Sequence, residues 1–117
     1  MLVYKILHQA EWQTLERDGE LTGSPVDLRD GFVHLSSGEQ VAETAARHFA
    51  AADDLVLLAF DAETLGAALR WEPSRGGALF PHLFRPLRRD EVRWVAALPL
   101  RDGRHAFPDL VTGDVQT

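Results

Sequence analysis

Leu55-Val56-Leu57-Leu58-Ala59-Phe60 is an unbroken apolar run standing between Asp53-Asp54 and Asp61. A short apolar run bounded by acids is the pattern of a strand buried on both faces, so it reads as the central strand of a sheet. The rest of the chain has to cover it.

The other elements follow from local patterns. Val3-Tyr4-Lys5-Ile6-Leu7-His8 is rich in β-branched and aromatic residues and predicts a first strand, itself buried for much of its length. Ala10 to Asp18 carries Trp12 and Leu15 at helical spacing and stops at Gly19, which suits the left-handed residue that follows a helix. Gly23 to Gly31 reads as irregular, and a second strand is expected over Phe32-Val33-His34-Leu35-Ser36. There Phe32, His34 and Ser36 share one face, and Val33 and Leu35 the other. Ser37-Gly38-Glu39-Gln40 fits a capping box that opens a helix with Val41, Ala45, Phe49 and Ala52 as its apolar stripe. After the central strand, Asp61 is expected to cap a short helical turn through Leu65 to Leu69. Trp71 to Ala78, with Pro73, Gly76 and Gly77, reads as a mobile loop. Leu79 to Phe84 is extended, with Pro81 implying an edge or irregular position, and Glu91 to Leu98 is a later strand before a turn at Asp102-Gly103. This order predicts an α+β fold in one domain over residues 1–117.

Charge and composition narrow the function. The 12 Lys and Arg against 18 Asp and Glu give a net charge of -6, which disfavours a nucleic-acid partner. There is no Cys, so thiolate metal sites, iron-sulfur clusters and cysteine nucleophiles drop out. The start of the chain lacks the features of a secretory signal, and the longest apolar run is far below the roughly 20 residues that span a bilayer. A cytoplasmic protein without a membrane partner is the expectation. Metalloprotease, phosphate-loop and dinucleotide-turn motifs are absent.

The candidate chemistry falls to imidazoles. His8, His34 and His82 each lie on or at the end of an expected strand, where a ring can hydrogen-bond a ligand, move a proton or bind a metal. The alternative for each is a structural histidine bonded within the fold. Ser36 shares a strand face with His34, although helix capping would equally explain a hydroxyl there. Glu72, at the entrance to the expected loop, could meet a sugar hydroxyl or stabilise positive charge at an anomeric carbon; a solvated loop acid is the plainer reading. Arg85, Arg88 and Arg89 form a basic cluster whose neighbours Asp90 and Glu91 also suit local salt links. His48 reads as a boundary residue and His105 carries little weight.

Leu7-His8 with Trp12, Gly31-Phe32-Val33-His34-Leu35-Ser36 with Gln40, the Leu55 to Asp61 strand and Phe80-Pro81-His82-Leu83 come in an order and spacing that resembles a small bacterial family, domain of unknown function 952. The resemblance implies a compact ADP-ribosyltransferase-like fold, a split, curved sheet with flanking helices. Val33-His34-Leu35-Ser36 is also similar to the second-strand motif of RNA 2'-phosphotransferases, which share that fold. By that analogy His8 would match the first ligand-holding element and His34 with Ser36 the second. A Glu on a later strand often aids transfer in such enzymes; this chain has Phe80-Pro81-His82 at that point, and Glu72 in the expected loop.

The reading is a small-molecule-binding protein for a nucleotide-like or other small polar ligand. His34, His82 and Glu72 are the candidate catalytic residues, and His8 and Ser36 hold the ligand. Transfer of ADP-ribose from NAD rests on analogy alone. The alternatives are an inert interaction module, whose cleft would be shallow or filled by side chains, and a metal site in which His8, His34 and His82 converge. The decisive expectation is that these three side chains meet in one concave site flanked by Trp71 to Ala78.

Overall fold

The computed structural model describes residues 1–109 and Val111. In chain order the elements are β1 (Leu2–His8), α1 (Gln9–Asp18), β2 (Glu20–Leu21), α2 (Pro25–Asp30), β3 (Val33–His34), β4 (Ser36–Ser37) and α3 (Val41–His48). Then come β5 (Leu55–Asp61), α4 (Ala62–Leu65), β6 (Leu69–Pro73), β7 (Leu79–Leu83), β8 (Leu87–Arg88), β9 (Val92–Leu98), β10 (Leu100–Arg101) and β11 (Arg104–His105). The fold is mixed α+β, with antiparallel strand pairing throughout the described residues.

β5 lies inside a four-stranded sheet of order β4-β1-β5-β9, and no residue from Leu55 to Phe60 is more than 5% exposed. Alternate side chains of β1 and β5 feed two cores. Val3, Leu7, Val56, Leu58 and Phe60 pack with Trp12 and Leu15 of α1 and with Val33 and Leu83, whereas Tyr4, Ile6, Leu55, Leu57 and Ala59 pack under Val41 and Ala45 of α3. A pleated strand sends successive side chains to opposite faces, which is why a continuous apolar run is needed here. A second sheet, β3-β7-β6, stands beside the first.

Five local expectations are corrected. Residues 25–30 form α2, because Ser24 and Asp27 make a capping box around Pro25 in the first turn. The expected second strand is two pieces: β3 pairs with β7 and β4 with β1, with Phe32 outside both. Between them Leu35 donates its N–H to the Pro81 carbonyl (3.0 Å) and buries its side chain. The helix expected from Ser37 begins at Val41 and ends at His48. The Gln40 side chain accepts from the Ser37 N–H (3.0 Å), but the chain turns before it coils; Phe49 and Ala52 reach the core from outside the helix.

Asp61 caps α4 as expected, its carboxylate accepting from the Glu63 N–H, and a 3-10 turn over Gly66–Ala68 carries the helical segment on to Leu69. Most of the expected loop is strand: β6 pairs with β7 through Glu72–Phe80 and Pro73–Leu79, leaving Ser74 to Ala78 as the connection. Pro81 accordingly sits on the middle strand of its sheet. Its place is tolerated because β3 ends opposite it, so no ladder there requires a proline N–H.

Candidate functional site

The chain leaves one sheet for the other at Leu35, and this step opens a cleft. β4 pairs with β1 only at Val3–Ser37 and Tyr4–Ser36, so among the described residues β1 has no strand on that side from Lys5 onward. The resulting cleft has a volume of about 600 Å³, and His8, His34, Ser36 and His82 all contribute to its walls, as does Ser74 of the β6–β7 connection. The three histidines therefore face one concavity. Glu72 does not line it.

Asp27, not itself on the cleft surface, ties together three residues of its wall, Lys5, Ser24 and His34. It is 1% exposed and receives four hydrogen bonds: Lys5 Nζ (2.8 Å) and the Ser24 N–H (2.9 Å) at Oδ2, the His34 N–H (3.0 Å) and His34 Nδ1 (2.6 Å) at Oδ1. Burial opposes its ionisation, yet the His34 hydrogen bond and the Lys5 charge outweigh that and hold the carboxyl well below the usual range. Lys5, 5% exposed, also donates to the His34 carbonyl at 3.0 Å. An ammonium has three hydrogens, and the third has no protein acceptor among the described residues.

His34 is held on both edges, with Nε2 lying 3.1 Å from Asp30 Oδ2. The Arg29 hydrogen bond, with a smaller contribution from His34, lowers the Asp30 carboxyl. His82, across the β3–β7 ladder from His34, is 5% exposed and its ring centroid lies 5.6 Å from that of His34. Its Nδ1 is 2.8 Å from Glu72 Oε1, and Phe32 stacks on it at 4.1 Å between centroids.

His8 stands farther along β1, beside Phe49, and pairs through Nδ1 with Asp54 (3.0 Å), whose carboxyl that hydrogen bond lowers. Ser36 caps no helix; its hydroxyl meets Thr44 Oγ1 (2.8 Å) and ties β4 to α3. Glu72 is a strand residue, diagonal to His82 across β6–β7, and acts on the cleft through that ring. Arg85 makes a two-pronged pair with Glu91 (2.9 Å at each oxygen), and neither it nor Arg88 or Arg89 lines the cleft. His105 bonds the Ala52 carbonyl. Among the described residues no group of three or more His, Asp or Glu side chains is disposed to hold a metal ion.

Sequence reasoning missed Lys5, Asp27 and the cleft position of His48. Two signals were present. A lysine within a strand read as buried demands a counter-ion, and Ser24-Pro25-Val26-Asp27 has the spacing of a helix cap. Only folding shows that the capping acid and the counter-ion are the same residue.

The class of protein is thus a mixed α+β fold of antiparallel sheets with a cleft beside β1. A family model described as a protein of unknown function, DUF952, matches residues 6–95, and the chain belongs to that family. The crystal structure of protein CC0527 from Caulobacter crescentus is similar at 53% identity and a TM-score of 0.91, covering 96% of this chain and 99% of that one. The solution structure of CC0527 aligns at 55% identity and a TM-score of 0.80, covering 89% and 90% of the two chains. No curated protein matches the chain. Among the described residues no helix is long and apolar enough to cross a membrane.

Proposed function

We propose that the cleft binds a small, polar, nucleotide-like ligand carrying an anionic group. The observation that carries this reading is the spare hydrogen of buried Lys5 on the wall of the cleft. A desolvated ammonium donor left unpaired is costly, and a phosphate or carboxylate oxygen completes it. A volume of about 600 Å³ suits a ligand of nucleotide size, and Phe49 and Phe80 supply apolar wall for a base. The test is titration with AMP, adenosine, ADP-ribose and NAD at millimolar concentration, followed by amide chemical shifts. AMP should move the resonances of Lys5 and its neighbours and bind more tightly than adenosine. No response to any of the four overturns the reading.

The ADP-ribosyltransferase-like fold belongs to the same proposal. It is supported by the parting of the sheet at Leu35, by the flanking helices, and by a carboxylate, Glu72, on a later strand. In its enzymatic form His8 and Ser36 hold the ligand while His82, backed by Glu72, assists transfer from NAD, and His34, with both ring nitrogens on carboxylates, shapes the wall between them. NAD consumption by the wild type, lost in His82→Ala, is the expected result; with no consumption the protein is a binding module. An inert interaction module is disfavoured by a cleft that side chains leave open.

A further inference from the structure

We infer that His82, oriented by Glu72, forms a hydroxyl-recognition subsite in which Nε2 accepts the hydrogen of a ligand alcohol and selects ribose over deoxyribose. The inference rests on the ligand-binding reading above and adds the group that decides which sugar is taken.

A carboxylate can only accept, so Glu72 Oε1 at 2.8 Å requires the hydrogen of the neutral ring on Nδ1 and leaves the lone pair on Nε2. The ring cannot swing away to share that lone pair elsewhere. Phe32 stacks on its face with an interplanar angle of 27°, and Phe32 is itself backed by Phe84 at 5.2 Å. Among the described residues Nε2 has no protein partner, and His82 is 5% exposed. Buried acceptors in folded proteins are almost always satisfied, which points to a partner from outside the chain.

The chemistry of that partner follows from what Nε2 lacks. Phosphate and carbonyl oxygens bring no hydrogen to it, whereas an alcohol does, and its oxygen is left to accept from a neighbouring donor. The other two histidines are not equivalent. Both ring nitrogens of His34 already face carboxylates, and the half-exposed side chain of His8 can be served by water. Glu72 is a positioning residue, since it acts on the ligand only through the imidazole.

The test compares AMP with 2',3'-dideoxy-AMP, following affinity and the imidazole nitrogen resonances of His82 in wild type and Glu72→Ala. Glu72 has a partly exposed side chain, so the variant should fold, as circular dichroism will check. Free wild type should show hydrogen on Nδ1; AMP should bind about fivefold to tenfold tighter than the dideoxy analogue and shift Nε2. Glu72→Ala should mix the two tautomers and flatten the preference between AMP and the dideoxy analogue. Equal binding of both nucleotides with Nε2 unmoved overturns the subsite and leaves the ligand reading standing. Binding of neither overturns both.

Discussion

Lys5 Nζ and Asp27 Oδ2 lie 2.8 Å apart, with the Lys5 side chain 6% exposed and that of Asp27 fully buried. The pair joins β1 of the four-stranded sheet to α2, and the same carboxylate holds His34 on the second sheet. Removing the Asp27 charge leaves the largely buried Lys5 ammonium without its counter-ion, so the cost is largely that of an uncompensated charge.

Asp27→Asn keeps the shape of the side chain and deletes its charge. It should lower the unfolding free energy by about 3–5 kcal/mol, measured by urea denaturation. Lys5→Met should cost less, because Asp27 keeps His34 and two backbone N–H donors. Equal stability of Asp27→Asn and wild type would show that the Asp27 charge does not hold β1, α2 and β3 together.

The lowered Asp27 carboxyl sets an acid limit. A group whose folded pKa lies below its unfolded value contributes stability that is present above the unfolded pKa and lost as pH falls toward the folded one. Stability should therefore begin to fall below about pH 4, where unfolded Asp takes up a proton that the folded state refuses. In Asp27→Asn this part of the acid loss should vanish, as pH-dependent denaturation will show.

Gly23 adopts φ +126°, and a Cβ there would lie 2.6 Å from Asp27 Cβ and 2.8 Å from its Oδ2. Gly31 also has positive φ, +85°, but a Cβ there would meet open space. Gly31→Ala should cost about 1 kcal/mol from backbone strain. Gly23→Ala should cost at least about 2 kcal/mol more, since the clash displaces the buried carboxylate. Thermal melts of the two variants make the comparison, and a smaller loss for Gly23→Ala contradicts it.

Arg85→Lys retains the charge beside Glu91 and loses the two-pronged geometry. With both side chains largely covered, the loss should be about 1–2 kcal/mol, larger than for an exposed pair. Because Arg85 does not line the cleft, its titration with AMP should match that of the wild type.

Much of the framework was legible. The Leu55 to Phe60 run is the buried inner strand it reads as, β1 and α1 fall where their patterns put them, and β9 spans Val92–Leu98. His8, His34 and His82 stand out in the sequence by their places on strands or strand ends, and each contributes to the walls of the cleft. What local patterns misplaced were segments whose partners lie far along the chain. Trp71 to Pro73 looked like loop because of Pro73 and the glycines beyond, yet the β7 ladder holds it extended. Phe32 to Ser36 looked like one strand because alternation does not report that its two ends pair with different sheets.

The amino-acid sequence by itself determined which segments had to be buried, since apolar periodicity acts within a few residues and needs no partner to be read. Tertiary structure decided where the sheet parts, and with it the site. Asp27, a helix-capping acid, becomes the counter-ion of Lys5 22 residues away, and Glu72 becomes the residue that orients His82 10 residues away. Hydrogen bonds and ion pairs act over a few ångströms of space, so their partners are fixed by how β1, α2, β3 and the β6–β7 hairpin come together.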